Sequence, residues 1–161
     1  MVNQYEHTQT SLTIIIGGMV VAGWIGVWMA SSPDRMFLVF LALVPLLAAL
    51  GFGALTVTVN QSHIAARFGL FLFRGWFTKR ILLEDVENHQ LVRNNWWYGF
   101  GIKYIGQGWL YNISGLDAVE FQLRNGRRVR IGSDEAERLV WVVTQAHKSS
   151  KAQPTHSDSE T

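Results

Sequence analysis

Leu12–Ser31 reads LTIIIGGMVVAGWIGVWMAS, twenty residues without a charge. As a helix it rises about 30 Å, the thickness of the hydrocarbon core of a bilayer. Ser31-Ser32-Pro33-Asp34-Arg35 follows as a tight polar turn, with Pro33 placed to end one helix and open another. Met36–Leu55, MFLVFLALVPLLAALGFGAL, is a second uncharged run of spanning length. Two such runs joined so closely predict an antiparallel hairpin of two membrane spans, 12–31 and 36–55. The competing reading is a pair of buried helices in a soluble core. Uncharged runs of this length favour the membrane.

Within the spans, Gly18, Ala22, Gly26 and Ala30 recur every four residues. Ala42, Ala49 and Gly53 give the second run a similar stripe, and small residues let helices approach closely in lipid. Pro45 removes a backbone donor and predicts a kink. Neither run holds an ionisable group, which argues against transport or proton relay. Residues 1–11 are polar, carry no Lys or Arg, and lack the basic region of a secretory signal. The turn between the runs holds one Arg, whereas the chain after Leu55 holds many. The Lys/Arg asymmetry therefore predicts that both termini face the cytoplasm, in an inner or cytoplasmic membrane.

Beyond Leu55 the periodicity changes. Thr56–Val59 alternates, Asn60-Gln61-Ser62 reads as a turn, and His63–Phe68 resumes as a strand. Phe68–Phe73 is apolar but too short to span; it reads as buried strand and turn, with a graze of the bilayer beside Trp76 and Phe77 as the alternative. Glu84, Asp85 and Glu87 form an acidic run. Then come Trp96-Trp97-Tyr98-Gly99-Phe100-Gly101 and Gly106-x-Gly108-Trp109, aromatics followed by glycines that permit tight backbone geometry.

The clearest strand signal lies further on. Val119, Phe121 and Leu123 alternate with polar residues, as do Val129 and Ile131. A two-residue Asn125-Gly126 turn would set Leu123 against Arg128 and mix the two faces. A three-residue loop, Arg124-Asn125-Gly126 with Gly126 in the left-handed position, instead pairs Phe121 with Val129 and Val119 with Ile131. It also places Glu120 opposite Arg130. Burial chooses this register. Ser133 or Asp134 then caps a helix over 134–148 whose stripe is Ala136, Leu139, Val140, Val143 and Ala146. Residues 149–161 are polar and aperiodic, which predicts a disordered tail.

Short antiparallel strands and one C-terminal amphipathic helix behind a two-span hairpin resemble the small bacterial membrane proteins that carry a pleckstrin-homology-like (PH-like) domain. The overlap lies in Trp96–Ile102, Gly108–Val119 and Gly126–Glu135. The resemblance implies a PH-like bent antiparallel barrel over 56–148, closed by the C-terminal helix on the cytoplasmic side. It implies no reaction and no catalytic residues, the family being largely uncharacterised.

Composition narrows the function. There is no cysteine, so disulfides and thiolate chemistry are excluded. Residues 56–149 hold twelve Lys/Arg against eight Asp/Glu, a surplus too small to indicate nucleic acid. His7, His63, His89, His147 and His156 show no metal-ligand spacing, and neither glycine pair carries the Lys-Ser/Thr of a phosphate loop. No cofactor is implied. Glu84, Asp85 and Glu87 could supply an acid/base pair, and a solvated turn between strands explains them better.

Two sets of residues are left as binding candidates. Arg74, Lys79 and Arg80, with Arg124, Arg127, Arg128 and Arg130, form two basic clusters suited to anionic lipid headgroups. Arg130 is also the residue that would pair with Glu120. Trp96, Trp97, Tyr98 and Trp109 suit a groove for a protein partner or a second copy, or equally a core or a headgroup belt. The sequence thus predicts a membrane-anchored binding or scaffolding module, with anionic-lipid binding as the alternative.

Overall fold

The computed structural model describes residues 5–30, 35–70, 75 and 77–152. In chain order these form strand β1 (Tyr5–Thr10), helices α1 (Leu12–Ala30) and α2 (Arg35–Phe52), and strands β2 (Ala54–Val59), β3 (His63–Phe68) and β4 (Phe77–Leu82). A 3-10 turn over Leu83–Asp85 leads into β5 (Val86–Arg93), and a second over Trp96–Tyr98 leads into β6 (Gly101–Tyr104). Then follow β7 (Gly108–Asn112), β8 (Asp117–Leu123), β9 (Arg128–Gly132) and α3 (Ala136–Ala152).

The strands make two sheets, not one closed barrel. The first is antiparallel with order β1-β2-β3-β4, and the second has order β5-β8-β9-β7-β6. In the second sheet β7 and β9 run parallel, so it is not the wholly antiparallel surface expected. Gly108 opens that parallel pair because any Cβ there would strike the Arg128 carbonyl. Leu55, Val57, Ile64 and Phe68 of the first sheet share one core with Val119, Phe121, Val129 and Ile131 of the second. Leu139, Val143 and Ala146 of α3 pack into the same core, and Val142 of α3 joins the expected stripe. The β8–β9 register is the one that burial selects: Phe121 faces Val129, Val119 faces Ile131, and Gly126 has φ 78° in the loop.

The N-terminal segment is a strand. Polar composition hid it, since its inward-facing positions are Tyr5, His7 and Gln9. Gln9 is buried, donates to the Gly132 carbonyl at 2.8 Å and accepts from the Asp134 amide at 3.1 Å. His7 lies 2.7 Å from Asp134 at the start of α3. Tyr5 packs in the core, and burial first, with Glu135 beside it, pushes its hydroxyl up to about 12. Satisfied polar groups thus replace the apolar alternation that marks most buried strands.

Helix α2 ends at Phe52, not Leu55, because Ala54 and Leu55 belong to β2 and pair with Thr10 and Gln9. The sandwich therefore starts at Ala54 and needs 5–10 as well, where 56–148 was expected. α1 and α2 lie side by side, and Gly18 lies tightly against the Pro45 carbonyl and Ala49. Gly26 of the same stripe is not used in this way, since space is open around it. α2 runs through Pro45 as one helix. α3 begins two residues later and runs further than the expected 134–148; Ser133 accepts from the Glu135 amide, while the Asp134 carboxylate is taken by His7. The 31–34 turn, residues 71–74 with Arg74, Trp76, and the tail from 153 lie outside the described residues.

On the far side of α3, His89 of β5 bonds the Thr144 hydroxyl at 2.9 Å. That hydroxyl donates to the Val140 carbonyl, so the imidazole Nε2–H donates to it. Burial, then the neighbouring His147, holds His89 below the usual imidazole value of 6.5. Above that value both folded and unfolded states are neutral and stability is complete. As the pH falls through it, the unfolded chain takes up a proton that the native site resists, so stability is lost. The melting temperature should therefore drop between about pH 7.5 and about pH 5.5, and drop less in His89→Gln.

The topology makes a second prediction. Ser11 donates to the Gly53 carbonyl at 2.8 Å, closing the β1–β2 ladder directly below the helices. Replacing 12–52 by a two-residue Asn-Gly turn should give a hairpin and a soluble domain with a cooperative melt. A fragment over 56–149, which cuts β2 and lacks β1, should show none by circular dichroism.

Candidate functional site

The first sheet ends at β4, and β4 pairs only with β3 among the described residues. Opposite it stand β6 and β7 of the second sheet, presenting Tyr104, Trp109 and Tyr111. Tyr104 and Trp109 pack edge to face with centroids 5.9 Å apart. These rings line a seam between the two sheets. The seam is lined by a cleft of about 770 Å³. A smaller cleft of about 420 Å³ continues it, sharing Trp109 and Tyr111 and ending on Phe77 and Ile102.

The cleft unites the two basic clusters. Lys79 and Arg80 reach it from β4, and Arg127 and Arg128 from the β8–β9 loop and the start of β9. One carboxylate, Asp85, stands against these four cations, leaving a net formal charge of +3 on the lining. Among the described residues no carboxylate is within ion-pair distance of Lys79, Arg80 or Arg127. Arg128 is partly engaged: it donates to Gln107 at 2.9 Å and lies 3.7 Å from Glu120. Burial raises the Tyr111 hydroxyl above its ordinary value, so it remains a neutral donor in the wall. The arrangement suits an anionic, partly aromatic ligand.

The other expected site residues lie elsewhere. Arg130 does not join the cleft; its Nε donates to Glu120 at 2.6 Å, and its guanidinium reaches Asn94 at 3.4 Å. Gln90 donates to the same carboxylate at 3.2 Å. This is the pairing that the register required, and Glu120 is only 5% exposed. Trp96, Trp97 and Tyr98 sit on their own 3-10 turn, apart from Trp109, and neither cleft reaches the two tryptophans. The acidic run divides: Asp85 lies at the cleft rim and its carbonyl accepts from the Arg124 amide, while Glu84 and Glu87 are exposed. Among the described residues no three His, Asp or Glu side chains gather to hold a metal ion. The cleft itself was not visible from the sequence, because its two halves lie far apart in the chain.

The two poles of the sandwich are distinct. α1 and α2 join it at Thr10 and Ala54, and Ser114 and Gly132 are tied to that pole through Gln9. At the other pole, Leu83 donates to the Ser62 carbonyl and Arg124 to the Asp85 carbonyl. The β8–β9 loop with Arg127 thus lies beside the β2–β3 turn. β2 runs between the poles for its whole length, about 16 Å.

No family model matches the chain, and no curated protein or solved structure matches it either. A functional reading therefore rests on this geometry.

The Glu120–Arg130 pair yields a stability test. Glu120→Ala leaves a largely buried guanidinium without its carboxylate and should cost roughly 3 kcal/mol in denaturant unfolding. A Glu120→Met/Arg130→Leu double variant should recover most of that loss.

Proposed function

We propose that this chain is a membrane-anchored binding module: a PH-like sandwich carried on a two-span hairpin, with both termini cytoplasmic. In this reading the seam cleft takes an acidic segment of a protein partner, and the protein performs no catalysis. The observation that carries it is the convergence of Lys79, Arg80, Arg127 and Arg128 on one aromatic-walled cleft.

Several features support the parts of the proposal. α1 is long and apolar enough to cross a membrane, and α2 has a shorter apolar run, Met36–Phe52, preceded by Arg35. Trp24, Val27, Phe37 and Phe40 project outward from these helices, a surface that water does not favour. An Arg at the end of a short span can reach the interface along its own stem. Among the described residues β4 is an edge strand, and it carries Lys79 and Arg80, so the same edge of a second copy is repelled while an acidic strand is attracted.

Headgroups of the same bilayer fit the basic cleft less well. Arg127 lies at the pole away from the helices, about 16 Å along the sandwich. That exceeds the screening length of about 8 Å at physiological salt. The expected partner therefore approaches from the aqueous side.

The test uses the full chain in nanodiscs and fluorescent peptides rich in Glu and Tyr. Binding should weaken with salt, and Lys79→Glu/Arg127→Glu should weaken it tenfold or more, on the order of 1.4 kcal/mol. Adding phosphatidylglycerol to the nanodisc should leave it little changed. Binding of soluble anionic headgroups in preference to every acidic peptide would overturn the protein-partner reading.

A further inference from the structure

We infer that the aromatic turn Trp96–Tyr98, together with Phe100, is a peripheral membrane contact that rests in the headgroup layer of the bilayer crossed by α1 and α2. The inference deepens the proposal above and rests on its spanning hairpin.

The first observation is exposure without looseness. Trp96 is 77% exposed and Trp97 63%, and Phe100 is exposed beside them. Yet the backbone is held: Tyr98 donates to the Asn95 carbonyl at 3.1 Å and Gly99 to that of Trp96 at 3.3 Å. The rings are braced edge to face, Trp96 on Trp97 at 6.0 Å and Trp97 on Tyr98 at 6.2 Å. Gly99 and Gly101, with φ 60° and 103°, turn the chain sharply into β6. Behind the turn, Asn94 donates to the Leu116 carbonyl at 2.6 Å and accepts from Arg130. A buried ion pair thus fixes a projecting aromatic surface, which costs little further ordering when it meets a partner.

The second observation is position. Gly101 pairs with Asn112, and Ser114, two residues on, reaches Gln9 at 3.4 Å, next to the start of α1. On the other flank Phe52, the last residue of α2, stacks on Phe77 at 5.3 Å, and Phe77 shares the smaller cleft with Ile102. The aromatic turn is therefore at the helical pole, continuous with the ends of both helices. Its chemistry fits that place. Indole rings favour the membrane–water boundary, and Lys103, beside Gly99, supplies a cation for lipid phosphate. The two candidate surfaces of this chain thus exchange roles: the aromatics face lipid and the arginines face the partner.

The chain has no cysteine, so single-cysteine labelling of the full-length protein is clean. An environment-sensitive dye on Asn95→Cys keeps both tryptophans, with Val20→Cys in α1 and Arg127→Cys at the far pole as references, all in phosphatidylcholine nanodiscs. The Asn95 dye should shift to the blue and be quenched by lipids labelled near the headgroup. Deep-labelled lipids should quench the Val20 dye, and neither kind the Arg127 dye. Adding Trp96→Ser/Trp97→Ser should abolish the Asn95 signal. An aqueous Asn95 dye with a quenched Val20 dye would sink the inference and leave the spanning hairpin standing. A Val20 dye untouched by lipid would remove both. A shielded Asn95 dye that lipid does not quench, and that responds to protein density in the disc, would mean a second copy covers the turn.

Discussion

The structure depends on one short ladder: β1 lies before the helices in the chain, β2 after them, and they pair from Tyr5–Val59 to Thr10–Ala54. Only one residue separates β1 from α1 and one separates α2 from β2, so the hairpin and the sandwich have almost no linker between them. Any tilt of the helices is passed to the first sheet. Gln9 then passes it to the second, through its bonds to Gly132, Asp134 and Ser114. The helices are not tethered to the sandwich by a linker; they are fused to it at two points. That makes it meaningful to speak of a helical pole and a far pole.

The features legible in the sequence were those set by local chemistry. The β8–β9 register followed from keeping Phe121 and Val129 on one face, and the structure has that pairing. The α3 stripe and the β2–β3 hairpin followed from period alone. Features that depend on distant partners were not legible. β1 looked like a plain polar segment because the groups that satisfy Gln9 lie more than a hundred residues away. β4 looked like a basic cluster, since four of its six residues, Phe77, Thr78, Arg80 and Leu82, are exposed. The α2 boundary was misplaced because Ala54 and Leu55 are as apolar in a strand as in a span.

The candidate site was half legible for the same reason. Residue type marked Lys79, Arg80, Arg127 and Arg128 as cations, and of these Arg128 bonds Gln107 and lies close to Glu120. Only topology could show that one cleft collects them, or that Arg130, two residues further, is spent on Glu120. Likewise the glycines around the aromatic run announced tight geometry, and Gly99 and Gly101 do adopt positive φ. Whether the rings pointed inward or outward depended on the fold around them, and Trp96 and Trp97 point out.

The placement of β9 between β8 and β7 bears on the order of assembly. β6 and β7 leave the ribosome before β9, but β7 has no neighbour in the sheet other than its own hairpin until β9 is laid against β8. The β6–β7 hairpin must therefore wait for a later segment, and a parallel pair between distant segments is intrinsically slow to form. One wall of the cleft is thus completed late, and it is joined to the rest of its sheet through the short β7–β9 ladder, Gly108–Arg128 to Tyr111–Ile131. Local opening at low free energy should begin there, at the hairpin carrying Tyr104 and Trp109, while the β1–β2–β3 ladder stays closed. The seam cleft is then bounded by a yielding hairpin, in a domain whose opposite edge is held by the β1–β2 ladder.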